Sequence, residues 1–245
     1  MNEQRDLCDK SDETTLELLY REFQLTIRVD NIRTCLDVLH KLSNSDEEET
    51  KLIPGAEILR DKIDSNRIGM LGHSFGGGTA AAACISTTGP AQFACGMSLD
   101  GWLDPLVNDI VRPTEKKTFV EQMLENRKRQ QLRPFAFVNS QLWQWKNNLK
   151  SMDRILEGIS QSEFGENTVQ EKVYKYQMKG THHHNFDDIA VLMPTLGKYM
   201  NYVGPDIDPV SHMSLLTDTI KSYFEYHMPS PSLNNKDGMV DPLKD

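Results

Sequence analysis

The sequence predicts an α/β fold, a parallel sheet with flanking helices, and three observations lead there. Short apolar runs recur, each ending in a polar residue: Ile68-Gly69-Met70-Leu71 ahead of Ser74, Ala94 to Leu99 ahead of Asp100, Phe135 to Val138 ahead of Asn139, and Val173 to Met178 ahead of His182-His183-His184. Helical stretches at about 116–131 and 146–160 separate the later runs, and strands that alternate with helices pair in parallel. The first run enters Gly72-His73-Ser74-Phe75-Gly76, followed at once by the small-residue stretch Gly77 to Ala83. Strand, Gly-x-Ser-x-Gly, helix puts a serine on a sharp turn above a sheet. The pentapeptide alone is weak, since a chain of this length matches it by chance roughly one time in ten. Its placement between a strand and a helix is what gives it meaning.

The remaining elements follow in chain order. Residues 1–13 are polar and acidic and are predicted disordered. A helix is predicted over about 15–42, because Leu25, Val29, Ile32, Leu36 and Leu39 recur at alternating steps of four and three, forming one apolar stripe. Asp46-Glu47-Glu48-Glu49 reads as a solvated loop, and a short helix with Ile58 and Leu59 follows Pro54. A last helix, at about 212–227, carries Leu215, Leu216, Ile220, Tyr223 and Phe224. The tail from Pro229 is rich in Pro, Ser, Asn and Asp and is predicted disordered. The expected organisation is one domain over 14–228, with disordered segments at 1–13 and 229–245.

Composition removes several functions. A net charge of −9 speaks against nucleic acid as a partner, and the basic stretch Arg127-Lys128-Arg129 with Arg133 reads as a solvated helix face. Cys8, Cys35, Cys84 and Cys95 form no C-x-x-C pair. Cys84 and Cys95 lie in apolar settings and read as buried thiols. The N-terminus has no apolar signal-like region, no Asn-x-Ser/Thr sequon occurs, and no apolar run reaches membrane-spanning length. As written the chain reads as cytoplasmic; a secreted protein is the expectation if a further segment precedes it.

Polar residues at the carboxyl ends of parallel strands face one crevice. Here they occur in the order Ser74, Asp100, Asn139 and the histidine run. Ser, Asp, His is the order of the α/β-hydrolases, and Gly-x-Ser-x-Gly is their nucleophile elbow. In most of them the acid follows the strand after next from the serine, where this chain has Asn139, which carries no charge. Asp100 is therefore the first choice for the acid, with Asp104 and Asp109 behind it. Ser74 would attack an ester carbonyl, a histidine would take its proton and hand it to the leaving alcohol, and Asp100 would orient that histidine. The Phe75 N–H, at the start of a helix, would be an oxyanion donor. His73 is expected to pack beside the serine. Consecutive side chains on an extended segment point to opposite sides and no H-E-x-x-H motif is present, so no metal and no cofactor is expected. Among His182, His183 and His184 this logic does not choose.

These residues resemble a known family. Gly72-His73-Ser74-Phe75-Gly76-Gly77, Ser98-Leu99-Asp100-Gly101-Trp102 with Pro105-Leu106, Phe137-Val138-Asn139-Ser140, and Gly180-Thr181-His182-His183-His184-Asn185-Phe186 with Asp188 resemble, over about residues 15–225, the platelet-activating factor acetylhydrolases of the plasma and intracellular type II group. These are calcium-independent phospholipases. The resemblance implies Ser74 as nucleophile, Asp100 as acid and, through the H-x-N-F pattern, His183 as base. It implies a phospholipid substrate with a short or oxidised acyl group at the second glycerol carbon, released as acetate in the simplest case. Two departures stand out. The family's upstream half, with its first strands and the H-G-x-G loop that supplies a second oxyanion N–H, is absent, and His184 stands where the family usually has another residue. The strand at 68–71 is then expected to have an open edge, and the chain to be a truncated product, an isoform or an incomplete gene model, poorly soluble and at best weakly active. Ile189, Leu192, Met193, Leu196, Tyr199 and Met200 recur at near-helical spacing, either as a core-packing helix or as an apolar patch touching lipid; Pro194 argues against one long helix. A generic serine carboxylesterase and an inactive lipid- or partner-binding module are the other readings.

Overall fold

The computed structural model describes residues 13–43, 54–59, 62–86, 91–107, 133–160 and 172–229. The acidic loop, the helix expected at 116–131, the basic run 127–129, Asp109, Cys8 and, apart from Glu13 and Pro229, both terminal segments lie outside these residues.

The chain opens with helix α1 (Glu13–Ser43) and a single turn, α2 (Ala56–Leu59). Strand β1 (Gly69–His73), helix α3 (Phe75–Ser86), strand β2 (Cys95–Leu99), a 3-10 turn at Asp104–Leu106, strand β3 (Phe135–Ser140), helix α4 (Lys146–Ser160) and strand β4 (Val173–Met178) follow. A 3-10 turn at His183–Phe186, the short helices α5 (Ile189–Leu192) and α6 (Pro194–Tyr199), and helix α7 (Pro209–His227) complete it. The strands form one sheet in the order β1-β2-β3-β4, and every pairing is parallel.

Side-chain alternation divides the core into two layers. Phe135 and Phe137 point to one face, where Leu25 and Val29 of α1, Ala81, Ala82 and Ile85 of α3 and Ile155 of α4 cover them. Ala136 and Val138 point to the other, packing with Cys95, Met97 and Leu99 beneath Leu216 and Tyr223 of α7. β2 and β3 are buried throughout, as expected of central strands covered on both faces. The apolar stripe of α1 behaves as its spacing predicts: Leu25, Val29 and Leu36 are buried, Ile32 and Leu39 half-buried. The alanine run of α3 follows from crowding, because this helix packs against β1, β2 and α1 at once and Ala80 to Ala83 are all buried. α7 starts at Pro209, three residues before its expected start, because Asp208 caps it, Oδ2 accepting from the Ser211 N–H at 2.9 Å.

Among the described residues β1 is an edge strand, paired with β2 alone. Leu71 on it is 41% exposed. A groove of about 310 Å³ runs between this edge and α1, lined by Arg28, Ile32, Met70, Leu71, Gly72 and Gly76 among others. The open edge expected from the sequence is present in the described fold.

The third strand corrects one step of the sequence argument. It does not end at Asn139 but runs on to Ser140. The two residues therefore face opposite ways. Asn139 turns to α4, its Nδ2 on Met152 Sδ at 3.6 Å, while Ser140 turns to Asp100.

Candidate active site

Two strands end in the same way. β1 ends at His73, and Ser74 follows with φ at 57°; β2 ends at Leu99, and Asp100 follows with φ at 45°. A non-glycine residue in the left-handed region costs about 1–3 kcal/mol and persists only where its surroundings impose it. They do so here. The Ser74 N–H donates to the Leu99 carbonyl at 3.0 Å, and the Ser74 carbonyl accepts from Trp102 and Gly77, each at 2.9 Å. The Asp100 N–H donates to the Val138 carbonyl at 2.7 Å. The glycines let this happen: a Cβ on Gly72 would lie 1.9 Å from the Gly76 carbonyl oxygen, and one on Gly78 would lie 2.3 Å from that of Trp102.

The third side chain arrives from β4. Gly180, at φ 72°, turns the chain, and His182 caps the 3-10 turn that begins at His183. Asn185 secures the turn, its Oδ1 accepting from the His182 and Gly204 N–H groups, each at 2.8 Å. Side chains on a 3-10 turn step by about 120°, so the three histidines separate. His182 Nδ1 accepts from the His183 N–H at 2.9 Å. His184 Nδ1 meets Asp187 Oδ2 at 2.6 Å. Only His183 reaches both other residues: Ser74 Oγ lies 2.9 Å from its Nε2, and Asp100 Oδ2 lies 2.8 Å from its Nδ1. The acceptor carboxylate places the ring proton on Nδ1, leaving Nε2 free to accept from the serine hydroxyl. Among the described residues no group of three or more His, Cys, Asp or Glu side chains is placed to hold a metal ion.

Asp100 is fully buried and held by several donors. Its Oδ1 accepts from the Ser140 N–H at 2.7 Å and from Gln144 Nε2, and its Oδ2 accepts from Ser140 Oγ at 2.9 Å as well as from His183. Asp104, the second candidate for the acid, points elsewhere: Trp145 Nε1 donates to its Oδ2 at 2.8 Å and Ser151 Oγ to its Oδ1 at 2.9 Å. Burial raises its pKa, and those hydrogen bonds oppose the rise. His73 packs beside the site as expected, its ring 4.5 Å from that of His183 and its Nε2 3.2 Å from the His183 carbonyl. Burial, then the charge of His183, lowers the His73 pKa, which keeps that ring neutral at pH 7. The Phe75 ring lies 4.8 Å from the Arg28 guanidinium and 5.4 Å from that of Arg21, both on α1. Cys95 is an inert buried thiol, its pKa pushed up to about 12 by burial. Cys84 is half-buried and Cys35 exposed.

Sequence reasoning missed Ser140, Trp143, Gln144 and Asn185. The cue for the loop residues was Gln141-Leu142-Trp143-Gln144-Trp145, an aromatic-rich segment at the carboxyl end of a strand that reaches the site.

A strand–turn–helix that presents a serine, a buried aspartate after the next strand, and a histidine bridging them from beyond the last strand define an α/β-hydrolase core. The chain belongs to the family described as platelet-activating factor acetylhydrolase, isoform II, which matches residues 2–241. It is 25% identical over 215 residues to the platelet-activating factor acetylhydrolase of Gallus gallus, covering 86% of this chain and 44% of that protein. It is 26% identical over 175 residues to that of Canis lupus familiaris, covering 70% of this chain and 32% of that protein. The chain thus spans less than half the length of these curated relatives. Among solved structures, acylaminoacyl peptidase of Pyrococcus horikoshii aligns with a TM-score of 0.42 at 17% identity, over 71% of this chain and 27% of that one.

Proposed function

We propose that this chain carries the catalytic centre of a serine esterase that hydrolyses the sn-2 acetyl, or short or oxidised acyl, ester of platelet-activating factor-like phospholipids. The observation that carries the reading is the unbroken hydrogen-bond chain Ser74–His183–Asp100. Ser74 Oγ attacks the ester carbonyl as His183 Nε2 takes its proton, and Asp100 holds the ring and stabilises the imidazolium. The Phe75 N–H, which has no partner one turn back because it opens α3, receives the oxyanion. Collapse of the intermediate gives an acyl-enzyme and a lyso-phospholipid; water, activated by His183, then releases the acid. The acyl-group class comes from the family and the relatives' names. Hydrolysis of a 2-acetyl phospholipid, its 2-palmitoyl counterpart and a water-soluble acetate ester tests it. The short-chain phospholipid is expected to be preferred over both. Equal or better turnover of the soluble ester would favour a generic carboxylesterase.

The same reading gives the substrate's physical state a partner surface. The turn that carries His183 leads directly into α5 and α6, broken at Met193 and Pro194 as the proline predicts. Ala190 and Gly197 face inward, while Leu192 is 75% and Tyr199 83% exposed, and Met193, Leu196 and Met200 are exposed beside them. An apolar patch one turn from the triad histidine suits a lipid interface better than a core helix. The contact proposed is a peripheral one; among the described residues no helix is long and apolar enough to cross a membrane. Leu192→Asp with Leu196→Asp is expected to reduce partitioning onto phosphatidylcholine vesicles about ten-fold or more. Unchanged partitioning would remove the lipid role.

A further inference from the structure

The hydrogen-bonded relay leaves one neighbour of His183 without a function. Trp143, on the loop after β3, lies flat against the His183 imidazole, the centroids 3.6 Å apart and the planes 21° from parallel. Trp143 is itself held. Trp145 meets it edge-on, at 4.5 Å and 87°, and Trp145 is fixed by its Nε1 hydrogen bond to Asp104 Oδ2 at 2.8 Å. Ser151 of α4 secures the other oxygen of Asp104. Between the two tryptophans, Gln144 donates to Asp100. The loop thus grips the acid and the base of the relay together. Trp143 makes no hydrogen bond to His183, so its contribution rests on its π face.

We propose that Trp143 is a positioning residue for His183, fixing the plane of the imidazole on the line between Ser74 and Asp100 and stabilising the imidazolium, with Asp104 supporting it through Trp145. This rests on the reading of Ser74, His183 and Asp100 as a working triad. The physical argument has two parts. The imidazole must keep Nδ1 on Asp100 and Nε2 on Ser74 at once, and a stacked indole removes the ring rotation that would break one of these bonds. When the serine proton reaches Nε2 the ring becomes a cation, and tryptophan has the aromatic face that attracts cations most strongly. Asp104 fits the supporting role. It is half-buried, points away from His183, and spends both oxygens on the tryptophan–serine pair.

The test is the second-order rate of labelling by an alkyl fluorophosphonate on the full chain. In that reaction a bond forms from Ser74 Oγ to phosphorus, the phosphorus–fluorine bond breaks, fluoride leaves, and the hydroxyl proton passes to His183 Nε2. Trp143→Leu is expected to slow labelling about ten-fold or more, while Trp143→Phe, which keeps a π face, stays within about three-fold of the parent. Asp104→Leu is expected to slow it as well, and Asp104→Asn, which still offers an acceptor to Trp145 Nε1, to restore it. The His183 ring protons, shifted by the indole ring current in the parent, are expected to lose that shift in Trp143→Leu. Parent-like labelling by folded Trp143→Leu, or equal losses in the Leu and Phe variants, would overturn the proposal. If Trp143→Leu does not fold, parent-like labelling by Asp104→Leu would overturn it instead. A parent that shows no Ser74-dependent labelling would overturn the triad reading, and this inference with it. Labelling of the parent with no difference among the variants would sink this inference alone.

Discussion

Ser74→Ala is expected to abolish fluorophosphonate labelling and to lower hydrolysis of a 2-acetyl phospholipid about 10⁴-fold or more, with no loss of fold. The size follows from what the hydroxyl does. In the proposed reaction it is the only atom of the relay that forms a bond to substrate, and His183 would not replace it by activating water without losing the covalent step. The fold should survive because the elbow is built from backbone: the Ser74 N–H and carbonyl make its hydrogen bonds to Leu99, Trp102 and Gly77, and alanine keeps them all. The alanine would still have to occupy φ near 57°. That strain is the same one serine bears, so the stability change is expected within about 1 kcal/mol. Thermal unfolding beside the labelling assay separates the two effects. Retention of more than a tenth of the parent's hydrolysis would place the nucleophile elsewhere.

The elbow glycines give the second large effect, and with opposite signs at two positions of one motif. Gly72→Ala is expected to destabilise the chain by about 3 kcal/mol or more and to lose labelling altogether. Its Cβ would sit 1.9 Å from the Gly76 carbonyl oxygen and 2.9 Å from the Gly77 nitrogen. Both belong to the backbone of α3, so relief means moving the helix off the strand rather than turning a side chain. Gly76 is different. A Cβ there meets nothing within 4 Å, and the residue lies in the first turn of α3 at negative φ. Gly76→Ala is therefore expected to stabilise by about 0.5–1 kcal/mol, through the entropy of the unfolded chain and helix propensity. Chemical denaturation of both variants checks the pair. A neutral Gly72→Ala would mean that the turn is not as tight as its geometry indicates.

The motif pattern says glycine at both positions, yet only one is required by packing. Gly76 borders the groove between the open edge of β1 and α1, which leaves its side-chain direction empty.

The histidine run shows a similar limit. Treated as extended chain, its side chains should alternate, and three neighbours offer no basis for choice. The structure instead starts a 3-10 turn at His183 and stabilises it with the reciprocal His182–Asn185 capping contacts. Three equal letters thereby become a cap, the neighbour of both Ser74 and Asp100, and the partner of Asp187. Asn139 shows the effect of a single residue of strand length. With β3 ending at Asn139 that residue would stand at the site; the strand runs on to Ser140, so alternation keeps Asn139 on the face of Phe135 and Phe137 and brings the serine to Asp100 instead. Asp100 lies on His183 because its own strand ends where the apolar run ends.

What the sequence alone determined is the part that depends on near neighbours along the chain. Apolar runs, the stripe of α1, the elbow and the Ser, Asp, His order are local or periodic patterns, and local patterns are legible because they answer to backbone sterics and one-sided burial. Only the tertiary structure brings His183 to Ser74, Ser140 and Gln144 to Asp100, and Trp143 onto His183. Those contacts join the ends of all four strands of the described sheet and the loops beyond them. Neither periodicity nor propensity records them, because they arise from the distance between segments that the parallel sheet brings together.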